Sequence, residues 1–495
     1  SKASIGVGSE IRAGVFNKVQ SFSFANTDHF STASLVTRMT TDINNTQNAL
    51  IMVLRTLARA PVMLVSATIM AFRINASLVT VFLVAIPALA AALAAIAMTA
   101  YPRFQAMLKK YDGLNASVQE NLIAIRVVKA FVREPHEKRK FKGSNDSLMQ
   151  ASLKAERVII LNSPLMQLTM YACILAILWF GGHKIVAGTM LTGQLISFIS
   201  YVTQILMSLM MLSMIFVNLV MSRASVSRIL EVLDEPLDIT DSGKAAEVAD
   251  GSIEFQDVCF KYNPDQAEDV LSHINLKISS GQTVGILGGT GSAKTTLVQL
   301  IPRLYDATSG RLLVGGHDVR DYDLSTLRNN VAMVLQKNVL FSGTIRDNLR
   351  WGNAEATDEE IVAACQAAQA HDFVMSFPDG YDTDLGQGGV NVSGGQKQRL
   401  CIARALLKRP KVLILDDSTS AVDTATDAQI REALARESAG MTTLIIAQRV
   451  SSVEHADVIL VMDEGRIAAM GTHEELLQSS GIYREVYESQ QKGVA

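Results

Sequence analysis

The chain has 495 residues, enough for two or three domains on the usual length scale. Apolar residues make up 48% and charged residues only 19%, which is oilier than a soluble protein of this size. Its net charge of −3 supplies no global basic field, which excludes an ordinary nucleic-acid binder.

The oiliness is concentrated in residues 1–233. Ser77–Ala100 carries no charged side chain over about 24 positions, enough to cross a hydrocarbon core of ~30 Å. Three further spans are predicted at about 49–72, 158–181 and 194–221, each longer than a buried core helix needs. Residues 101–157 are rich in Lys and Arg, whereas the connections near 73–76 and 182–193 hold only Arg73 and Lys184. By the positive-inside rule, the long basic loop and everything after the last span are cytoplasmic. The opening SKASIGVGSEIRAGVF has no initiator Met and no signal-peptide pattern, and is expected on the same side. The stretch NASVQENLIAIRVVKAFVREPHEKRKF is expected to carry two helices well beyond the membrane. Residues 234–251 (DEPLDITDSGKAAEVADG) are acidic and turn-rich, and read as a linker. Cys173, Cys259, Cys365 and Cys401 lie far apart and read as reduced, buried small hydrophobes.

From residue 252 the pattern changes to short strands alternating with helices. TVGIL (283–287) is a β-rich strand, followed by Gly288, Gly289, Thr290, Gly291, Ser292, Ala293, Lys294, Thr295 and Thr296, and then by the helical LVQLIPRLY. A strand, a Gly-rich loop, Lys-Thr and a helix form a phosphate cradle. Backbone N–H groups face the anion, Lys294 reaches the outer phosphates and Thr295 can ligate magnesium. Ala293 breaks the strict G-x-x-x-x-G-K-[ST] spacing. In VLILDDSTSAVD (412–423) a buried strand delivers Asp416, suited to the magnesium of a bound nucleotide, and Asp417 beside it.

VSGGQKQRLCIARAL (392–406) is a Gly pair opening a basic helix just before that strand. It closely resembles the signature of the ABC ATPases, usually LSGGQ. Other elements follow in the family's order: Tyr262 where the adenine-stacking aromatic sits, Gln336 in the Q-loop, Asp423 in the D-loop, and Gln448 in the switch. The resemblance covers residues 252–490. Residues 1–233 are similar to the transmembrane domain of ABC exporters through LVTRMTTDI (35–43) and QENLIAIRVVKAF (119–131). The resemblance implies an all-α polytopic membrane domain (1–233), a linker (234–251) and an α/β P-loop nucleotide-binding domain (252–495). It also implies six spans, so the first two are expected to be missing here, as in a truncated longer chain. In the family two ATPase domains pair head to tail, and ATP binding moves the membrane helices through short cytoplasmic coupling helices. Those are expected near 34–42 and 111–119, with an ordinary solvated loop as the alternative.

What the resemblance implies for the site is specific. ATP and Mg2+ are the expected ligands, with Thr295, Gln336 and Asp416 around the metal and Tyr262 and residues 288–296 on the nucleotide. Ser393, Gly394, Gly395 and Gln396 would serve the ATP of a second subunit. Asp417 takes the place of the family's catalytic Glu, and Gln448 takes that of the switch His. An Asp carboxylate stops ~1.5 Å short of a Glu carboxylate, and misplacement on that scale can cost ~10²-fold. Gln448 cannot become cationic. Gln387 and Gly388 depart from the family's TEVGERG stretch as well. This pattern resembles the degenerate-site subunit of heterodimeric bacterial multidrug exporters, in the cell (inner) membrane. It implies a second, non-identical subunit and small, apolar or amphipathic cargo. A homodimeric exporter with slow hydrolysis and an ATP-gated regulatory or channel-like protein remain as alternatives. Met207, Met210, Met211 and Met214 form a soft stripe that fits either helix packing or varied ligands. Arg55 and Arg59 fit either a pathway lining or snorkelling at the cytoplasmic edge.

Overall fold

The computed structural model describes residues 2–241, 247–263, 266–417, 424–437 and 440–492, which fall into two compact units. The first comprises residues 1–20 and 32–235 and is helical. Its helices are α1 (Lys2–Gln20), followed after α2 (Phe24–His29, in the other unit) by α3 (Thr32–Thr37), α4 (Ile43–Met52) and α5 (Arg59–Ile74). Then come α6 (Ala76–Ile123), α7 (Ile125–Ala130), α8 (Glu134–Ile159), α9 (Asn162–Val186) and α10 (Thr192–Asp234). Among the described residues, four stretches are long and apolar enough to span a membrane: Ser34–Ile74, Ala76–Ile123, Glu134–Val186 and Thr192–Leu212. Helix is the form that satisfies every backbone N–H and C=O within a segment, as a lipid environment demands. Asn75 starts α6 by accepting from the Ser77 N–H at 3.2 Å, and the helix runs on through Pro87 and Pro102. Its apolar stripe joins a core shared with α5, α9 and α10, where Phe82 and Phe198 stack at 5.8 Å.

The stretches 34–42 and 111–119, expected as coupling helices with a solvated loop as the alternative, are helical. The first runs from α3 into a π-helical turn (Arg38–Asp42), and the second lies inside α6. Asp42 is fully buried and pairs with Arg228 of α10 at 2.5 Å, while Arg38 pairs with Glu231 at 2.7 Å. This ionic pairing explains why charged residues sit on an otherwise apolar helix face. Met207, Met210, Met211 and Met214 of α10 are all exposed, as are Arg55 and Arg59.

The second unit comprises residues 21–31 and 236–495. α2 is begun by a capping box between Ser23 and Asn26, whose amide donates to the Pro236 carbonyl at 2.9 Å. One sheet has the order β2 (Leu271–Ile278), β1 (Ile253–Phe260), β4 (Ser309–Val314), β5 (His317–Asp318) and is antiparallel. The other orders β12 (Arg466–Gly471), β11 (Val458–Asp463), β3 (Thr283–Gly288), β10 (Thr442–Ile446), β9 (Val412–Asp416) and β6 (Val331–Val334). Only β12 in it is antiparallel. A two-stranded ribbon joins β7 (Gly343–Thr344) and β8 (Asp384–Leu385). The helices are α11 (Lys294–Gln299), α12 (Leu324–Asn330), α13 (Ile345–Arg350), α14 (Asp358–Ala367) and α15 (His371–Met375). They continue with α16 (Gly394–Leu407), α17 (Thr424–Glu437), α18 (His473–Ser479) and α19 (Gly481–Lys492). Within the stretch expected as a linker, Val248 is buried in this unit's core.

Candidate active site

Parallel strands buried on both faces read as unbroken apolar runs, and their carboxyl ends gather at one edge. Here β6, β9, β10 and β3 are successive neighbours, so four chain turns meet there. β3 leads into the 288–296 loop, β9 ends at Asp416, β10 leads to Gln448, and β6 leads to Gln336. The sequence places these segments up to about 160 residues apart, and the strand order brings them side by side.

Gly288 has φ +156, and a Cβ there would lie 2.3 Å from the Met462 carbonyl oxygen, so the loop turns tightly against β11. Lys294 Nζ lies across the loop and donates to the carbonyls of Gly288 (2.8 Å) and Gly289 (2.7 Å) and to Ser292 Oγ (3.2 Å). Burial lowers its pKa from the usual lysine value, against the charges of Asp416 and Asp417. Ala293 is held at φ 67, ψ 23, a left-handed conformation that costs an L-residue ~1–2 kcal/mol. Its side chain packs against the apolar core, so the departure from glycine acts through the backbone. Thr290 and Gly291 complete the loop, and Gly291 has φ +87. Tyr262 is half exposed; its hydroxyl lies 2.9 Å from Thr296 Oγ1 and its ring meets Tyr305 edge-on at 5.2 Å.

Thr295 Oγ1 donates to Asp416 Oδ1 at 3.0 Å, while Asp416 Oδ2 is buried without a hydrogen-bond partner among the described residues. A buried carboxylate oxygen left bare beside a threonine hydroxyl fits a hard divalent cation, so Thr295 and Asp416 suit Mg2+. Burial raises the Asp416 pKa above the ordinary carboxylate range; Thr295 opposes the shift and the Asp417 charge adds to it. A raised folded-state pKa favours the protonated form. The stability it contributes is complete below the unfolded pKa and is lost as pH rises through the folded one. At neutral pH the ionised Asp416 therefore weakens the ligand-free fold. Asp416→Asn should leave the melting temperature of the ligand-free protein unchanged or higher, yet abolish the extra stabilisation that Mg-ATP gives over ATP with chelator. Differential scanning fluorimetry measures both, and a retained magnesium increment would contradict the assignment.

Asp417 has φ 48, a left-handed value that Asp tolerates better than most residues. Its Oδ2 accepts from Gln448 Nε2 at 2.8 Å and from Gln336 Nε2 at 3.5 Å. Gln336 is thus drawn toward Asp417, with no hydrogen bond to Thr295 or Asp416. Gln398, buried on α16, donates to the Asp417 carbonyl at 3.4 Å, a contact that sequence reading missed although the residue lies just past the signature. Ser393 caps α16 and exchanges bonds with Gln396, its N–H donating to Gln396 Oε1 at 2.8 Å; Gly394 and Gly395 form the first helical positions. Gly388, where the family carries Arg, has φ 70, and its carbonyl accepts from Lys397 at 2.8 Å. Gln387 lies in the same turn. Asp423 lies outside the described residues.

The chain that carries this glycine-rich loop, buried carboxylate and capped helix after a set of long apolar helices matches known proteins over nearly its whole length. Residues 1–209 match the ABC transporter transmembrane region and residues 271–420 match the ABC transporter family. An uncharacterized ABC transporter ATP-binding protein of Bacillus subtilis, YfiB, is 40% identical over 97% of this chain and 83% of its own. The chain belongs to the ABC transporter family. An ATP-dependent lipid A-core flippase of Syntrophus aciditrophicus is 33% identical over 98% of this chain and 80% of its own. The solved structure of a bacterial Atm1-family ABC exporter with ATP bound superposes with a TM-score of 0.87 at 26% identity, over 99% of this chain and 86% of that one. This transporter is therefore a multi-pass membrane protein with a cytoplasmic ATPase domain, an ABC exporter whose membrane and ATPase parts are fused in one chain.

Proposed function

We propose that this exporter chain is one subunit of a heterodimer and that its own site holds Mg-ATP without hydrolysing it efficiently. The observation that carries the reading is the bond from Gln448 to Asp417. A general base must reach the attacking water and aim a lone pair at it. The carboxylate at that position is short, and its Oδ2 is occupied by the neutral amide of the switch residue itself. Magnesium would supply charge neutralisation at the phosphates, held by Thr295 and Asp416. Tyr262 would stack on adenine, and Ser393, Gly394, Gly395 and Gln396 would complete the second subunit's site, aided by Asp423. Gln336 is better assigned to orienting Asp417 than to the metal.

Coupling is better assigned to residues 21–31 than to 34–42. Within the ATPase unit Asp28 accepts from the Tyr305 hydroxyl at 2.7 Å, and Tyr305 in turn meets Tyr262. The cargo class is apolar or amphipathic and small. An apolar cavity of about 340 Å³ between α6 and α9, lined by Val81, Val84, Leu165, Leu168 and Ala172, supports that class, as does the exposed methionine stripe. The name of the flippase relative points the same way.

The test is purification of the tagged chain from its native membrane, with ATPase measured before and after removal of whatever subunit accompanies it. The expected result is a second ABC chain with Glu and His at the positions of Asp417 and Gln448, and little turnover without it. Full turnover by this chain alone would overturn the heterodimer and favour a slow homodimer. No turnover with any companion would favour an ATP-gated regulatory protein.

A further inference from the structure

The switch backbone is gripped by a side chain from the far end of the chain. Gln490, on α19, accepts from the Val450 N–H through Oε1 at 2.8 Å and donates to the Gln448 carbonyl through Nε2 at 2.8 Å. One side-chain amide thus takes the place of a neighbouring strand, bonding the carbonyl of one residue and the N–H of the second after it. The two bonds are mutually consistent, so they fix which end of the Gln490 amide carries the nitrogen. The grip is made from a rigid element. Tyr483 at the start of α19 is buried, its hydroxyl 2.6 Å from His473 Nδ1, and Tyr487 and Val486 pack against the same core as Val450 and Val453. Gln448 itself is exposed, with the Asp417 carboxylate as its side-chain acceptor. Its backbone is thus held from one side and its side chain from the other.

We propose that Gln490 is a positioning residue for recognition of the third phosphate of ATP. By fixing the backbone at 448–450, it holds the Gln448 amide beside Asp417, at the strand edge where nucleotide is read. This rests on the reading of Gln448 as the switch residue. Adenine and the inner phosphates are met by Tyr262 and the 288–296 loop, none of which touches Gln490. Loosening the clamp therefore weakens ATP and spares ADP. A general loss of structure would weaken both.

The experiment uses the full transporter and a radiolabelled photoreactive azido-ATP, counting label on this subunit as ATP or ADP competes for it. Gln490→Met keeps the shape and removes both bonds. It should lower the preference for ATP over ADP by about tenfold, the worth of one hydrogen bond to a charged group. Gln448→Ala should do the same, and the double variant should be no worse than either single change. Gln490→Glu keeps the acceptor for Val450 but sets a carboxylate oxygen against the Gln448 carbonyl, so it should lower the preference at least as far as Gln490→Met. A wild-type preference in Gln490→Met, with Gln448→Ala impaired, would overturn the clamp. Equal weakening of ATP and ADP in Gln490→Met would also overturn it, in favour of a structural role. An unchanged preference in Gln448→Ala would overturn it through the switch reading and leave the assignment of the phosphate loop standing.

Discussion

Changing Asp417 to Ala should cost the assembled exporter little of its ATPase rate, whereas changing the corresponding Glu of the second subunit to Gln should cost ~10²–10⁴-fold, the usual worth of a general base. The asymmetry follows from the amide bonded to Asp417 Oδ2 and from the short reach of that carboxylate. If this carboxylate does little work, removing it changes little. Asp417→Glu should restore little activity for two separate reasons. The added methylene lengthens the reach but leaves Gln448 in place of a residue that can carry a positive charge. The position is also held at φ 48, where Glu is less at ease than Asp. Steady-state phosphate release from each purified mutant pair decides the matter. Equal damage from Asp417→Ala and from the change in the second subunit would mean two equivalent sites, and this chain would be an ordinary, slower ATPase.

The fold and most of the site were legible because both are written in local pattern. Uncharged runs such as Ser77–Ala100 report their surroundings directly, and all four predicted spans fall on helices long and apolar enough to cross a membrane. The phosphate loop and VLILD are contiguous motifs, and the parallel strands β3 and β9 place them on one edge. What escaped was either conformational or distant. Ala293 shows in the sequence only as a break in the phosphate-loop spacing, and its φ of 67 adds that the change is carried by the backbone. The segment 34–42 is helical as expected, but its ties to α10, Asp42 to Arg228 and Arg38 to Glu231, join residues about 190 positions apart and have no local signal. Capping residues at 23–26, just upstream, were the available signal for α2. Gln336 is expected beside the metal, and its amide contact with Asp417, a residue 81 positions away, carries no local signal. Gln490 had no signal at all. A lone glutamine in a polar terminal helix looks like solvated surface until the fold lays that helix beside the switch.

Gly394→Asp in this chain should stop turnover by the assembled exporter while leaving nucleotide labelling of this chain's own site intact. Gly394 opens α16, where Ser393 and Gln396 satisfy one another and leave the first turn of the helix without competing side-chain bulk. The N-terminal end of a helix carries partial positive charge and free N–H groups, which suit an anion. An aspartate placed there sets a negative charge against the phosphates that the second subunit brings. Two unit charges 4 Å apart at an effective dielectric of 20 repel by about 4 kcal/mol, close to a thousandfold in closure. Lys294→Ala should do the reverse: it removes the cation that spans Gly288, Gly289 and Ser292, abolishes labelling of this chain, and lowers turnover less than Gly394→Asp does. The pair of variants separates the two halves of one polypeptide's contribution, its own nucleotide site and the signature it lends. Photolabelling of each subunit together with phosphate release reads both. Loss of labelling on this chain in Gly394→Asp, with label kept on the second subunit, would mean that this signature serves its own chain's nucleotide, and the head-to-tail arrangement would fall with it.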